Sequence, residues 1–125
     1  MANKLRTLKL KSGTEILLGK NSESNDALMR EFENKENIIL HTSAPGSPFC
    51  VLQSANPRKK EIKEAAAVCA SYSQDWRDNK GDVLVDVFTG KQIFKEKDMK
   101  AGTWKVNKSK KIKVKKREIE KLENN

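Results

Sequence analysis

Asn37-Ile38-Ile39-Leu40-His41-Thr42-Ser43-Ala44-Pro45-Gly46-Ser47-Pro48-Phe49-Cys50-Val51-Leu52 is the stretch on which the reading of this chain turns. Two apolar, partly β-branched runs flank a Ser/Pro/Gly turn, the pattern of two strands joined by a loop. The chain's one histidine closes the first run, which puts an imidazole at the rim of the sheet. Pro48 lacks a backbone donor and belongs at the start of the second strand.

Working outward from this pair, the residues before it alternate in Leu5-Arg6-Thr7-Leu8-Lys9-Leu10, turn at Ser12-Gly13 and return in Thr14-Glu15-Ile16-Leu17-Leu18, a β-hairpin pattern. Apolar residues at 28, 29 and 32 predict a short amphipathic helix over residues 25–32, with Ser24 as its N-cap. On the other side, Asn56 followed by Pro57 is a helix-start signal. Apolar residues at 62, 65, 66, 69, 70 and 72 then predict a helix over 58–73, alanine-rich enough to lie close to a sheet, with Lys59, Lys60, Glu61, Lys63 and Glu64 outward. Residues 74–81 read as a polar connector carrying Trp76. Val83-Leu84-Val85-Asp86-Val87-Phe88 is the strongest strand pattern, and residues 92–95 begin a return. Residues 102–106 and 111–115 alternate apolar with basic residues, as strands with one core face and one wet, positive face. Residues 118–125 read as a charged end with a frayed helical turn. The expectation is a single α+β domain over 1–117: one mixed, mainly antiparallel sheet with two helices packed on it.

A chain of 125 residues with 36% hydrophobic content can bury one core and no second of comfortable size. Its net charge of +9 and pI near 9.6 point to a polyanionic partner, nucleic acid before acidic membrane, against the plainer reading of lysines that only solvate the surface. Residues 1–6 lack the apolar core of a signal peptide, and no apolar run approaches the ~18 residues of a membrane span, so the expected location is cytoplasmic, with no membrane partner. Cys50 and Cys69 share no metal-binding or redox spacing and read as buried, reduced thiols.

From Lys100 to Arg117 there is no acidic residue, and strand alternation puts Lys111, Lys113 and Lys115 on one face. Such a row repels itself unless a counter-charge such as RNA phosphate gains from it, or unless the lysines guard a sheet edge. His41 is read three ways: a general base, a metal ligand, or a hydrogen-bonding or stacking side chain. One histidine and two separated thiols do not make a metal site, and no orienting acid or Gly-x-Ser-x-Gly elbow accompanies it. No metal, no cofactor and no catalytic residue are expected. Gly13, Gly19 and Gly46 form no phosphate-cradling pattern, and Trp76, Trp104, Phe88 and Phe94 read first as core.

Several pieces, in order, resemble the NFACT RNA-binding domain (NFACT-R) family, whose members form the end of ribosome quality-control factors and also occur as small free-standing proteins. Gly19-Lys20-Asn21 with Asn25-Asp26 and Leu28 is similar to the family's entry motif. His41 with Pro45, Gly46 and Ser47 is similar to its His-containing loop, Glu64-Ala65-Ala66 with Ala70, Tyr72 and Ser73 to its alanine-rich helix, and Lys95, Lys97, Lys100 and Gly102 to its lysine-rich loop. The resemblance runs from Ser12 to Val114. Larger members carry Asp-x-Trp-x-His where this chain has Asn37 and Ile39 at the first two positions, and the loop after His41 is one residue shorter. The resemblance implies a non-enzymatic module that contacts tRNA or ribosomal RNA in translation or ribosome quality control. Its expected RNA-binding residues are Lys20, Asn21, Asn25, His41, Ser47, Lys95, Lys97 and Lys100, joined by Lys111, Lys113 and Lys115 of the basic tract. The alternative is a protein-interaction adaptor whose basic face docks an acidic partner; an enzyme built on His41 ranks third.

Overall fold

Residues 5–124 are described by the computed structural model; residues 1–4 and 125, at the outer ends of the expected domain and charged tail, lie outside the described residues. In chain order the elements are β1 (Leu5–Lys9), β2 (Glu15–Gly19), α1 (Ser22–Phe32), β3 (Ile38–Thr42), β4 (Cys50–Leu52), α2 (Lys59–Ser71), α3 (Gln74–Asn79), β5 (Val83–Thr89), β6 (Ile93–Phe94), β7 (Lys105–Val106), β8 (Lys110–Val114) and α4 (Lys116–Glu123). The main sheet has the order β1-β2-β4-β3-β5-β8 with antiparallel neighbours throughout, and β6 and β7 form a separate ribbon. The architecture is α+β, as expected.

The two-residue period of the strands divides the core in two. Ile16, Leu18, Leu40, Cys50, Leu52, Val83, Val85 and Val114 face α2, whose alanines 65, 66, 67 and 70 allow close approach, and α4, which is anchored by Ile119. Their neighbours Leu17, Ile39, Val51 and Phe88 face the other way, onto Leu28, Met29 and Phe32 of α1 and onto Trp104. A fully buried leucine such as Leu40 contributes about 1.5–3 kcal/mol from apolar burial. The central strand pair reads as expected: β3 and β4 are joined by the 43–49 loop, with Pro48 just ahead of β4. Both cysteines are free and buried, and burial, then the neighbouring Cys69, pushes the Cys50 thiol well up.

Several local expectations need correction. Ser24 does not cap α1. Asn21 does: its Oδ1 accepts from Ser24 N at 2.8 Å, and the Ser24 hydroxyl accepts in return from Asn21 N at 3.0 Å and Lys20 N at 2.8 Å. Helix α2 starts after Pro57 rather than on it, closed by Glu61 Oε1 accepting from Arg58 N at 2.9 Å. Glu61 is therefore not an outward charge. Its other oxygen accepts from Ser12 and Thr14, tying α2 to the β1–β2 turn, and the Arg58 amide and these hydroxyls hold its pKa down at about 2. The polar connector is α3, capped by Ser73, with Trp76 buried and its indole N–H donating to Glu123 of α4 at 3.0 Å. The charged end is not a frayed turn, because Ile119 holds a full helix against α2. Of the expected 102–106 strand, only Lys105–Val106 pairs.

Candidate nucleic-acid interface

The loop of the anchor stretch is fixed from both sides. Ser47 Oγ accepts from Thr42 N at 3.0 Å and donates to Pro48 O at 3.1 Å, while Thr42 Oγ1 donates to Ala44 O at 2.7 Å. At the tip, Gly46 takes a φ of +92°, open to glycine and strained for other residues, and its carbonyl accepts from Gln74 N at 2.8 Å, docking the loop on the start of α3. Nearby, Asn25 Oδ1 accepts from Phe49 N at 3.0 Å. This brings the amide so close to Gly19 that a Cβ there would lie 1.9 Å from Asn25 Oδ1.

Between these parts lies a pocket of about 340 Å³, into which Lys20, Asn25, Gly46 and Ser47 project together with Arg6, Tyr72 and Arg77. Arg6 stacks on Tyr72, its guanidinium carbon 4.4 Å from the ring centroid. Arg77 donates to Tyr72 O at 3.3 Å and to Gln74 Oε1 at 2.9 Å. No carboxylate lines the pocket, and none of Arg6, Lys20 and Arg77 is in an ion pair among the described residues. Three cations, a tyrosine ring, an amide and a hydroxyl thus surround one concavity with no internal counter-charge. That set offers ionic and hydrogen-bonding partners to a phosphate.

The remaining expected site residues lie elsewhere. Asn21 has its side-chain oxygen engaged in the cap of α1. Lys95 is not a free loop lysine: its ammonium is bound to Asp26 Oδ1 at 2.9 Å, Lys100 O at 2.8 Å and Thr103 O at 3.2 Å. The same Asp26 oxygen accepts from Gly102 N and Trp104 Nε1, so it locks the lysine-rich loop and the ribbon onto α1. Burial opposes ionisation of Asp26, yet the bonds from Lys95, Gly102 and Trp104 outweigh it and hold the carboxyl below its ordinary value. Lys97 and Lys100 are exposed on that loop.

His41 does not line the pocket. It lies on the sheet face that packs on α1, its ring 4.5 Å from that of Phe49, and its Nδ1–H donates to Thr42 O at 2.8 Å. Burial lowers its pKa against the upward pull of the Thr42 carbonyl, Asp86 and the Ser47 backbone, so the ring is neutral near pH 7. Across the sheet from it, Lys111 pairs with Asp86 at 2.7 Å and reaches Ser43 at 3.1 Å. Lys113 is exposed on the same face, and Lys115 precedes α4. Arg6, Tyr72 and Arg77, which are not among the expected site residues, join the pocket only through the packing of β1, the end of α2 and α3. The one sequence signal was Tyr72, which belonged to the alanine-rich motif without being read as a contact.

These features define a small α+β domain with an acid-free cationic pocket at the loop between its central strands. The family model of the NFACT protein RNA binding domain matches residues 4–108, and the chain belongs to that family. Among curated proteins it is 38% identical over 71 residues to the Rqc2 homolog RqcH of Bacillus subtilis (strain 168), covering 56% of this chain and 12% of that protein. It is 25% identical over 68 residues to the archaeal Rqc2 homolog aRqcH of Methanocaldococcus jannaschii, covering 53% of this chain and 10% of that one. The chain thus spans only a small part of these relatives. Its fold matches the C-terminal part of the fibronectin/fibrinogen-binding protein from Streptococcus suis with a TM-score of 0.83 at 23% identity, over 97% of this chain and 49% of that one. RNA binding is what the family description assigns to this domain.

Proposed function

We propose that this chain is a non-enzymatic RNA-binding module that contacts tRNA or ribosomal RNA in translation or ribosome quality control, and that the pocket bounded by Arg6, Lys20, Ser47 and Arg77 is its main contact. The observation that carries this reading is the absence of any carboxylate around three cations and a tyrosine ring. A phosphate placed there gains ionic hydrogen bonds from arginine forks. The exposed Lys97, Lys100 and Lys113 would add long-range attraction without reading sequence. His41 serves this site indirectly, by holding Thr42 and so the loop that presents Gly46 and Ser47.

The test is ultraviolet crosslinking of the protein to a labelled structured RNA, with mass spectrometry of the crosslinked peptides. Adducts should concentrate on the peptides carrying Tyr72 and the 43–49 loop. Adducts confined to the 95–100 loop or to β8 would remove the pocket from the interface and leave only the lysine surfaces.

A further inference from the structure

The helix-covered sheet face is covered incompletely. Helix α4 follows directly on β8 and covers the end of that strand near Val114. The opposite corner, where β3 and β8 begin and α2 begins, stays open as a groove of about 770 Å³. Its floor is Ile38, Ile62, Val87 and Ile112, half-buried side chains continuous with the core. Lysines stand over it: Lys59 and Lys63 from α2, Lys108 and Lys110 from the approach to β8 and its first residue. No acidic residue lines the groove, and none of these four lysines is in an ion pair among the described residues.

We infer that this groove docks an acidic, amphipathic segment of a protein partner, which places two or three apolar side chains on the isoleucine-valine floor and its carboxylates against the lysine rim. The floor argues against RNA as the occupant, since a phosphate backbone presents no apolar side chain to fill it. The rim argues against a second copy, since two such surfaces on a chain of net charge +9 would set lysines against lysines. An apolar stripe on an acidic helix or strand satisfies both halves of the groove at once. The groove is distinct from the cationic pocket, with which it shares no lining residue.

A displayed library of random peptides, selected on the intact chain, tests this without a known partner. The selected peptides should combine Asp or Glu with Leu, Ile or Phe, and should shift the backbone amide resonances of Ile62, Val87 and Ile112 on binding. The K59E/K63E variant, changed only at exposed positions on α2, should melt as the wild type does and bind the peptides more weakly by roughly tenfold or more. Ile62→Ser should weaken them separately. Poly(U) RNA should leave peptide binding unchanged once bulk salt effects are matched. The inference is overturned by a selection that yields no binder or only peptides lacking acidic and apolar residues, by shifts that map to Arg6 and Tyr72, by equal binding to K59E/K63E, or by direct competition with poly(U).

Discussion

The pocket beside the 43–49 loop and the lysine-rich 95–100 loop are both basic in sequence, yet their charges do different work. Around the pocket, Arg6, Lys20 and Arg77 face one concavity without a carboxylate. In the other region the motif lysine Lys95 is buried against Asp26 with side chains only 12% and 18% exposed, and Lys105 is paired with Glu96. A lysine count therefore measures total positive charge, whereas a polyanion feels the charge left after internal pairing. Phosphate affinity should follow the unpaired cations, and fold stability the paired ones.

The largest expected effect comes from breaking the paired region. Asp26→Ala leaves the Lys95 ammonium, the Gly102 amide and the Trp104 indole without their shared acceptor. Urea unfolding should show a loss of about 3 kcal/mol, with pocket-dependent RNA affinity retained below the unfolding midpoint. The pH dependence has a definite sign. The folded pKa of Asp26 lies below its unfolded value, so its contribution is complete above about pH 4 and is lost as pH falls through the folded pKa. Asp26→Ala should flatten that acid limb.

Breaking the pocket region should cost less stability and more function. Gly46→Ala puts a side chain at a φ of +92° and its Cβ 2.8 Å from Gln74 Cβ. A loss of about 1–2 kcal/mol is expected by thermal melting, together with weakened RNA binding as the loop moves away from α3.

His41 sharpens the comparison, because it supports the pocket's loop without lining the pocket. Its folded pKa is below its unfolded value, so the unfolded chain takes up the proton first. Its stabilising contribution is present above about pH 6.5 and declines as pH falls toward and through the folded pKa. His41→Gln should remove that slope in stability measured between pH 8 and pH 5, with a loss at pH 8 of about 1 kcal/mol. A wild-type stability that rises on acidification through this range would contradict a neutral, loop-holding imidazole.

Much of this fold was legible because it rests on local periodicity. The 5–18 hairpin, the two strands of the anchor stretch, the alanine stripe of α2 and the long strand β5 all carry a period of two or of 3.6. What escaped was held by few residues or by distant ones. Helix α3 is six residues long and is secured by the Ser73 cap and the burial of Trp76, and α4 depends on Ile119 meeting α2. Asn21 and Ser24 are both plausible caps in isolation, and only the reciprocal bonds distinguish the cap from its partner. The pocket was legible in part for the same reason. Lys20, Asn25 and Ser47 lie in motifs that meet at the pocket, whereas the pairing of Lys95 with Asp26 spans 69 positions and leaves no local signature.

The central claim is that unpaired pocket cations, not the lysines of the 111–115 tract, set RNA affinity. It is tested most directly by the salt dependence of RNA binding in two triple variants, Arg6→Gln/Lys20→Gln/Arg77→Gln and Lys111→Ala/Lys113→Ala/Lys115→Ala, each checked for folding by its melting curve. The pocket triple should weaken binding by well over tenfold and reduce the slope of log K against log salt by about two to three units. The strand triple, which includes Lys111 already paired with Asp86, should reduce the slope by roughly one unit. A pocket triple that binds like the wild type, beside a strand triple that loses most of its affinity, would contradict the account.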